Sequence, residues 1–100
     1  METRGRGLSL RLFVAGDSPE SAVAIANLEA LYPRGEASDV HIEIVDVQRE
    51  PAKAAREGIV VTPTLLKLSP FPPLRILGNL KNRANLASLL GDAAIPPGRD

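Results

Sequence analysis

The sequence predicts an α/β domain in which a parallel βαβ unit precedes an antiparallel ββα unit, giving the order β-α-β-α-β-β-α. Three observations carry this. First, "LSLRLFV" (8–14) and "VHIEIVDV" (40–47) alternate apolar and polar residues as strands do, and the segment between them has apolar residues at helical spacing. Second, strands joined through a helix of about four turns pair in parallel. Third, beyond a second short helix, two strand-like segments are separated only by the proline-rich turn "SPFPPL". That reads as an antiparallel hairpin, followed by a last helix.

The elements follow in order. In the first strand Leu8, Leu10, Leu12 and Val14 point one way, and Ser9, Arg11 and Phe13 the other. "AGDSPES" turns the chain: Gly16 allows a sharp bend, Ser18 caps a helix, and Pro19 takes the first helical position, where a missing N–H costs nothing. The helix runs to about Tyr32 with an apolar stripe of Ala24, Ile25, Leu28, Leu31 and Tyr32, and Pro33 and Gly35 end it. In the second strand Val40, Ile42 and Ile44 alternate with His41 and Glu43. Towards Val45 and Val47 both faces become apolar, as in a strand covered on both sides.

"REPAKAAREG" forms a short helix opened by Pro51 and closed by Gly58. Strand character then runs from Ile59 through Leu68, and "LRILG" (74–78) is a further short strand. The last helix, from about Asn82 to Leu90, carries Leu86, Leu89 and Leu90, and Gly91 stops it.

Composition bounds the function. The 100 residues make one domain, 1–100, with its core over about 8–91 and flexible ends at 1–7 and 92–100. Hydrophobic residues form 44% of the chain, but only Phe13, Tyr32 and Phe71 are aromatic, so Leu, Ile, Val and Ala must build the core. Twelve basic residues balance twelve acidic ones, which leaves no electrostatic footprint for nucleic acid. Arg4, Arg6 and Arg11 read as a solvated end. There is no cysteine, which excludes disulfides, thiol redox chemistry and Cys-ligated zinc. No apolar run approaches membrane length, and the expected compartment is the cytoplasm.

"IVVTPTLLKL" (59–68) has a proline where a central strand should exclude one. The β-α-β-α-β-β-α order resolves this, because it resembles the thioredoxin-like arrangement, in which a proline, usually after a cis bond, precedes the third strand. Pro63 is then expected to mark the start of that strand, with a cis Thr62–Pro63 bond. In redox members of that fold the first turn carries Cys-x-x-Cys; here it reads "AGDSPES", so thiol exchange is impossible. Ser18 resembles the hydroxyl of a glutathione-transferase-like site, but no base is placed to activate it, and a helix cap explains it. His41, the single histidine, is one ligand without the two or three more that a metal needs. Asp17, Glu20 and Glu29 fit the first turn and solvent face of the first helix. Asp46, near a strand end, calls for partners, most simply neighbouring backbone N–H groups. The residues point to a binding module without catalysis, cofactor or metal.

Four separated motifs, "LRLFVAGDSPES", "IEIVDVQREPAKA", "GIVVTPTLLKL" and "ILGNLKNR", resemble the KaiB family in order and spacing over about residues 8–90. The resemblance implies a non-catalytic clock-type regulator that docks on the N-terminal ATPase ring of KaiC, a P-loop ATPase and autokinase. It would modulate KaiC phosphorylation and circadian or stress output. Some members are metamorphic: a thioredoxin-like state binds KaiC, while an alternative packing of the second half of the chain forms tetramers. The implied states are thus monomer or homo-oligomer (dimer or tetramer). A runner-up is a sensor or adaptor acting on a histidine kinase, as the thioredoxin-like SasA domain does. A glutathione-binding enzyme on the same fold rests only on Ser18 and Pro63.

Family positions carry over one at a time. Gly16, Pro19 and Ser18 (for threonine) match the first loop. Asp46, Val47 and Pro51 match the exit of the second strand; Thr62, Pro63, Thr64 and Leu65 match the TPTL turn; Gly78, Leu80 and Arg83 match the last motif, from which Asn79, Lys81 and Asn82 depart. The implied partner surface is the second-helix region, Gln48, Arg49, Glu50, Pro51, Ala54 and Glu57. Glu43 stands where the family usually has lysine, and Val23 and Ala26 where it has basic residues, which argues against docking of a KaiA-type partner. Leu89 and Gly91 stand where it usually has glycine and aspartate. Leucine is the better helix former, so the helix-ended state is the expected one.

Overall fold

Strands β1 (Leu8–Val14), β2 (Val40–Asp46), β3 (Thr64–Ser69) and β4 (Leu74–Leu77) alternate with helices α1 (Pro19–Leu31) and α2 (Pro51–Arg56) in the expected order. The structure is a computed structural model and describes residues 7–33, 40–81, 86, 89 and 90. Leu86, Leu89 and Leu90 are helical, which agrees with a last helix after β4. Residues 1–6 and 92–100 of the expected flexible ends, together with Gly35, Arg83 and Gly91, lie outside the described residues.

The strands form one sheet in the order β2-β1-β3-β4. β1 and β2 are parallel, with Leu8 opposite Val40 and Val14 opposite Asp46. β1 and β3 are antiparallel, as are β3 and β4. The β1–β3 register shifts between Ser9 and Leu10, whose partners are Ser69 and Lys67. Leu68 is the residue skipped, and it is exposed.

The alternation in β1 divides the core as expected. Leu8, Leu10, Leu12 and Val14 pack with Ala24, Leu28 and Tyr32 of α1 and with Leu65, Leu80, Leu86 and Leu90. On the other face Phe13 packs with Val45, Ala54 and Leu66, joined by Val47 and Ile59. The first layer therefore holds most of the leucine core, and the second is thin, because α2 has six residues.

Local chemistry starts α1 where Ser18 was expected to cap it. The Ser18 hydroxyl accepts from Ser21 N–H at 3.2 Å, and Pro19 follows. Ser21, which the sequence reading passed over, is fully buried, and its hydroxyl accepts from Ala15 N–H at 3.0 Å. It replaces a partner that the backbone loses at the turn.

Pro63 lies just before β3, and the Thr62–Pro63 bond is cis. The bonds before Pro70 and Pro72 are cis as well. The segment 59–63 is irregular, so the strand character read from Ile59 is not realised before Pro63, and the strand starts where the resemblance placed it. Ile59 folds down onto Ala54, to whose carbonyl it donates at 2.9 Å, and Val60 is left 90% exposed. A run of β-branched residues has strand propensity, but here no neighbouring strand takes up its hydrogen bonds. Leu80 has φ +63° and is nonetheless buried, so the core holds it in a conformation costly for leucine.

Candidate partner-docking site

Gly16, Ser18 and Pro19 follow the C-terminal end of β1, and Asp46 closes β2 beside them. Thr62, Pro63 and Thr64 open the antiparallel β3 at the same end, and Gly78 follows β4 there. The fold thus gathers these positions at one end of the strands, where they work as joints. Asp46 Oδ1 accepts from Gly16 N–H at 3.2 Å and from Gln48 N–H at 2.9 Å. Thr64 Oγ1 donates to the Val61 carbonyl at 2.7 Å, and Gly78 N–H donates to the Pro63 carbonyl at 3.0 Å.

These joints set the turn that leads into α2. Arg49 and Glu50 N–H groups both donate to the Asp46 carbonyl, at 3.0 and 2.9 Å. Gln48, Arg49, Glu50 and Pro51 are exposed, as are Ala52, Ala55 and Arg56 on the helix. Glu57 is half-buried. Ala54 is 8% exposed and faces the sheet. It supports the helix from beneath, so the accessible face is the turn and the outer side of α2 without it.

Charge binds α2 to the sheet. Arg11 and Glu43 lie opposite each other in the parallel register. Glu43 Oε1 accepts from Arg11 Nε at 2.8 Å, and its Oε2 accepts from Lys53 Nζ at 2.7 Å. Arg11 also approaches Glu57 at 3.5 Å, and Lys53 approaches Glu50 at 3.4 Å. The Lys53 and Arg11 hydrogen bonds hold the Glu43 carboxyl below the usual glutamate range. The hydrogen bond to Glu43 lifts Lys53 above the usual lysine range. Arg11 is therefore not part of a solvated basic end: its side chain is 25% exposed and committed to carboxylates. The sequence signal was available, since parallel pairing brings the outer residues of the two strands together. Lys53 could not be added without knowing where α2 lies.

Beyond α2 the surface turns apolar. Val60, Val61 and Leu77 are exposed, and Leu77 pairs with Thr64 next to Pro63. An open groove of about 280 Å³ lies between Glu57 and residues Leu66, Leu68, Leu74 and Arg75. Arg75 closes one wall by donating to the Glu57 carbonyl at 2.8 Å. His41 is exposed. Among the described residues no three His, Asp or Glu side chains are grouped as metal ligands.

The profile of the KaiB domain matches residues 11–91. The chain belongs to the KaiB family. A circadian clock protein of that family, KaiB3 of Synechocystis, is 39% identical over 89 residues, spanning 89% of this chain and 85% of that one. The circadian clock oscillator protein KaiB of Thermosynechococcus vestitus is 36% identical over 74 residues, 74% of this chain and 68% of that protein. Among solved structures, the N-terminal domain of SasA from Synechococcus elongatus superposes with a TM-score of 0.68 at 23% identity, covering 94% of this chain and 89% of that domain. Chloroplastic thioredoxin z gives a TM-score of 0.73 at 20% identity, covering 88% and 79%. At these identities the likeness concerns the fold, which is thioredoxin-like in this KaiB-family chain. The cysteine-free sequence separates it from thiol chemistry on that fold.

Proposed function

We propose that this chain is a non-catalytic regulatory protein that docks on the ATPase ring of a KaiC-type protein and modulates its phosphorylation cycle, with the turn and outer face of α2 as the contact surface. The observation that carries the reading is the exposed stretch Gln48, Arg49, Glu50 and Pro51, held in one conformation by Asp46. A surface whose backbone is already ordered loses little freedom on binding. Membership of the KaiB family supplies the kind of partner. The charge set of this face is mixed, with Arg49 and Arg56 against Glu50, and favours a partner with both signs at its contact.

Glu43 faces Arg11 and Lys53 and is engaged by both, so the β2 position that would carry a lysine for a KaiA-type partner offers neither the charge nor a free side chain. This argues against a KaiA-type partner. The helical Leu89 favours the thioredoxin-like state as the resting form, with the tetrameric packing as the minor one.

The test is size-exclusion chromatography with light scattering, first on the protein alone and then with a KaiC homologue and ATP. A monomer that joins the hexamer on mixing is the expected result. A tetramer that joins over hours would replace the pre-formed binder with one gated by refolding. Absence of any complex would sink the KaiC reading and leave a sensor or adaptor for a histidine kinase, the reading that the SasA-like fold supports.

A further inference from the structure

The docking helix is weakly held by apolar contact. Ala54 is its one buried residue, and a methyl group removes little surface from water. A helix of six residues has almost no stability of its own. Its position must come from elsewhere, and the contacts around it show where.

Glu43 uses its two oxygens separately. Oε1 takes Arg11 of β1 and Oε2 takes Lys53 in the middle of α2. Arg11 reaches on to Glu57, just past the end of α2, and Lys53 to Glu50, just before its start. Arg75 of β4 donates to the Glu57 carbonyl. The helix is thus tied to the sheet at its middle, through Lys53, and just past its end, through Glu57, and the middle tie ends on the carboxylate that also holds Arg11.

Isolated surface ion pairs contribute little, because two long side chains must be ordered to make them. This set differs. Glu43 and Arg11 stand opposite each other on paired strands, so the sheet fixes their separation. The Arg11, Glu43 and Lys53 side chains are 25%, 32% and 37% exposed. Without the carboxylate, Arg11 and Lys53 would face each other as like charges.

We propose that Glu43 is a positioning residue of the docking helix: its carboxylate clamps Lys53 of α2 to Arg11 of β1 and so sets the orientation in which the Gln48–Glu57 face meets its partner. The inference rests on the docking role proposed for α2. A face that is correctly placed only part of the time binds more weakly in proportion to that fraction.

Hydrogen exchange on the full-length protein tests the clamp without any partner. In Glu43→Gln, which keeps the shape and removes the charge, the amides of residues 54–57 should exchange at least tenfold faster, while those of β1 and α1 stay as in the wild type. High salt should speed α2 exchange in the wild type and change it little in the variant, a response that loss of packing alone does not produce. Binding to the KaiC homologue should weaken at least threefold in Glu43→Gln. Exchange of α2 within twofold of the wild type would overturn the clamp. Faster exchange with unchanged affinity would overturn its role in docking. If the wild type itself does not bind, the docking reading fails, and the exchange comparison still decides the clamp.

Discussion

Asp46 closes the gap between two loops by accepting the Gly16 N–H at 3.2 Å from the end of β2. The same oxygen takes the Gln48 N–H at 2.9 Å. One carboxylate thereby ties the turn into α1 to the turn into α2. Removing it strands the part-buried Gly16 donor, while water can replace it at the exposed Gln48 N–H, and an unpaired buried donor costs about 1–3 kcal/mol. Asp46→Ala should lose about 1 kcal/mol of unfolding free energy in urea titration, whereas Asp46→Asn, which keeps an oxygen acceptor, should lose less than half as much. Equal losses in the two variants would mean that the charge, not the hydrogen bonds, is what the loops need.

Gly16 has φ +51°, and a Cβ there would stand 2.8 Å from Gln48 Oε1. Two costs are possible, and they separate. Gln48 is exposed and its amide end can swing away, so the clash is cheap. The left-handed backbone is not, and disfavours alanine by roughly 1–2 kcal/mol. Gly16→Ala should therefore destabilise the fold by about that amount, and adding Gln48→Ala should recover little of it. Full recovery in the double variant would place the cost in the clash.

The clamp on α2 has a pH signature. Lys53 and then Arg11 lower the Glu43 pKa. A carboxylate whose folded-state pKa lies below its unfolded value stabilises the fold above the unfolded pKa, and that contribution is lost as pH falls through the folded one. Lys53 is shifted upward by Glu43, so its contribution holds below its unfolded pKa and is lost as pH rises through the folded one. Exchange protection of α2 should hence be level across the neutral range and fall on the acid side, below the usual glutamate range. In Glu43→Gln the acid-side fall should shrink. An identical acid limb in both proteins would assign it to other carboxylates.

Much of this was readable because the signals are local. The alternation in β1, the stripe Ala24, Leu28 and Tyr32 and the Ser18–Pro19 cap each follow from the stereochemistry of a few neighbouring residues, whereas Pro63 at the start of β3 was placed by the resemblance to the thioredoxin-like arrangement. The site was less readable because its parts come from distant segments. Arg11 and Glu43 meet only through the strand register, and Lys53 joins them only because α2 crosses that face. Val60 and Val61 misled for the converse reason. Their propensity is for strand, but strand needs a pairing edge, and the tie from Ile59 to Ala54 turns the chain away from one. Ser21 was invisible because a serine in a first helical turn ordinarily serves the helix, and this one serves the preceding loop.

Tyr32 gives the last prediction. It ends α1 at 3% exposure, and its hydroxyl is buried without a hydrogen-bond partner among the described residues. Burial pushes its pKa from 10.0 up to about 12. Below 10.0 the phenol is neutral in both the folded and the unfolded chain. Between 10.0 and about 12 the unfolded chain gives up a proton that the folded one keeps, so stability falls as pH rises through that interval. The chain has one tyrosine and no tryptophan, so phenolate absorbance reports this group alone. The folded protein should show phenolate only near the upper value, with the urea-unfolded chain titrating at the lower one. Tyr32→Phe keeps the ring in the core and removes the unpaired oxygen. It should raise stability at neutral pH by about 1 kcal/mol and flatten the alkaline fall. A Tyr32→Phe variant less stable than the wild type, with the phenol of the folded wild type titrating at its ordinary value, would mean that the hydroxyl has a partner or a water after all.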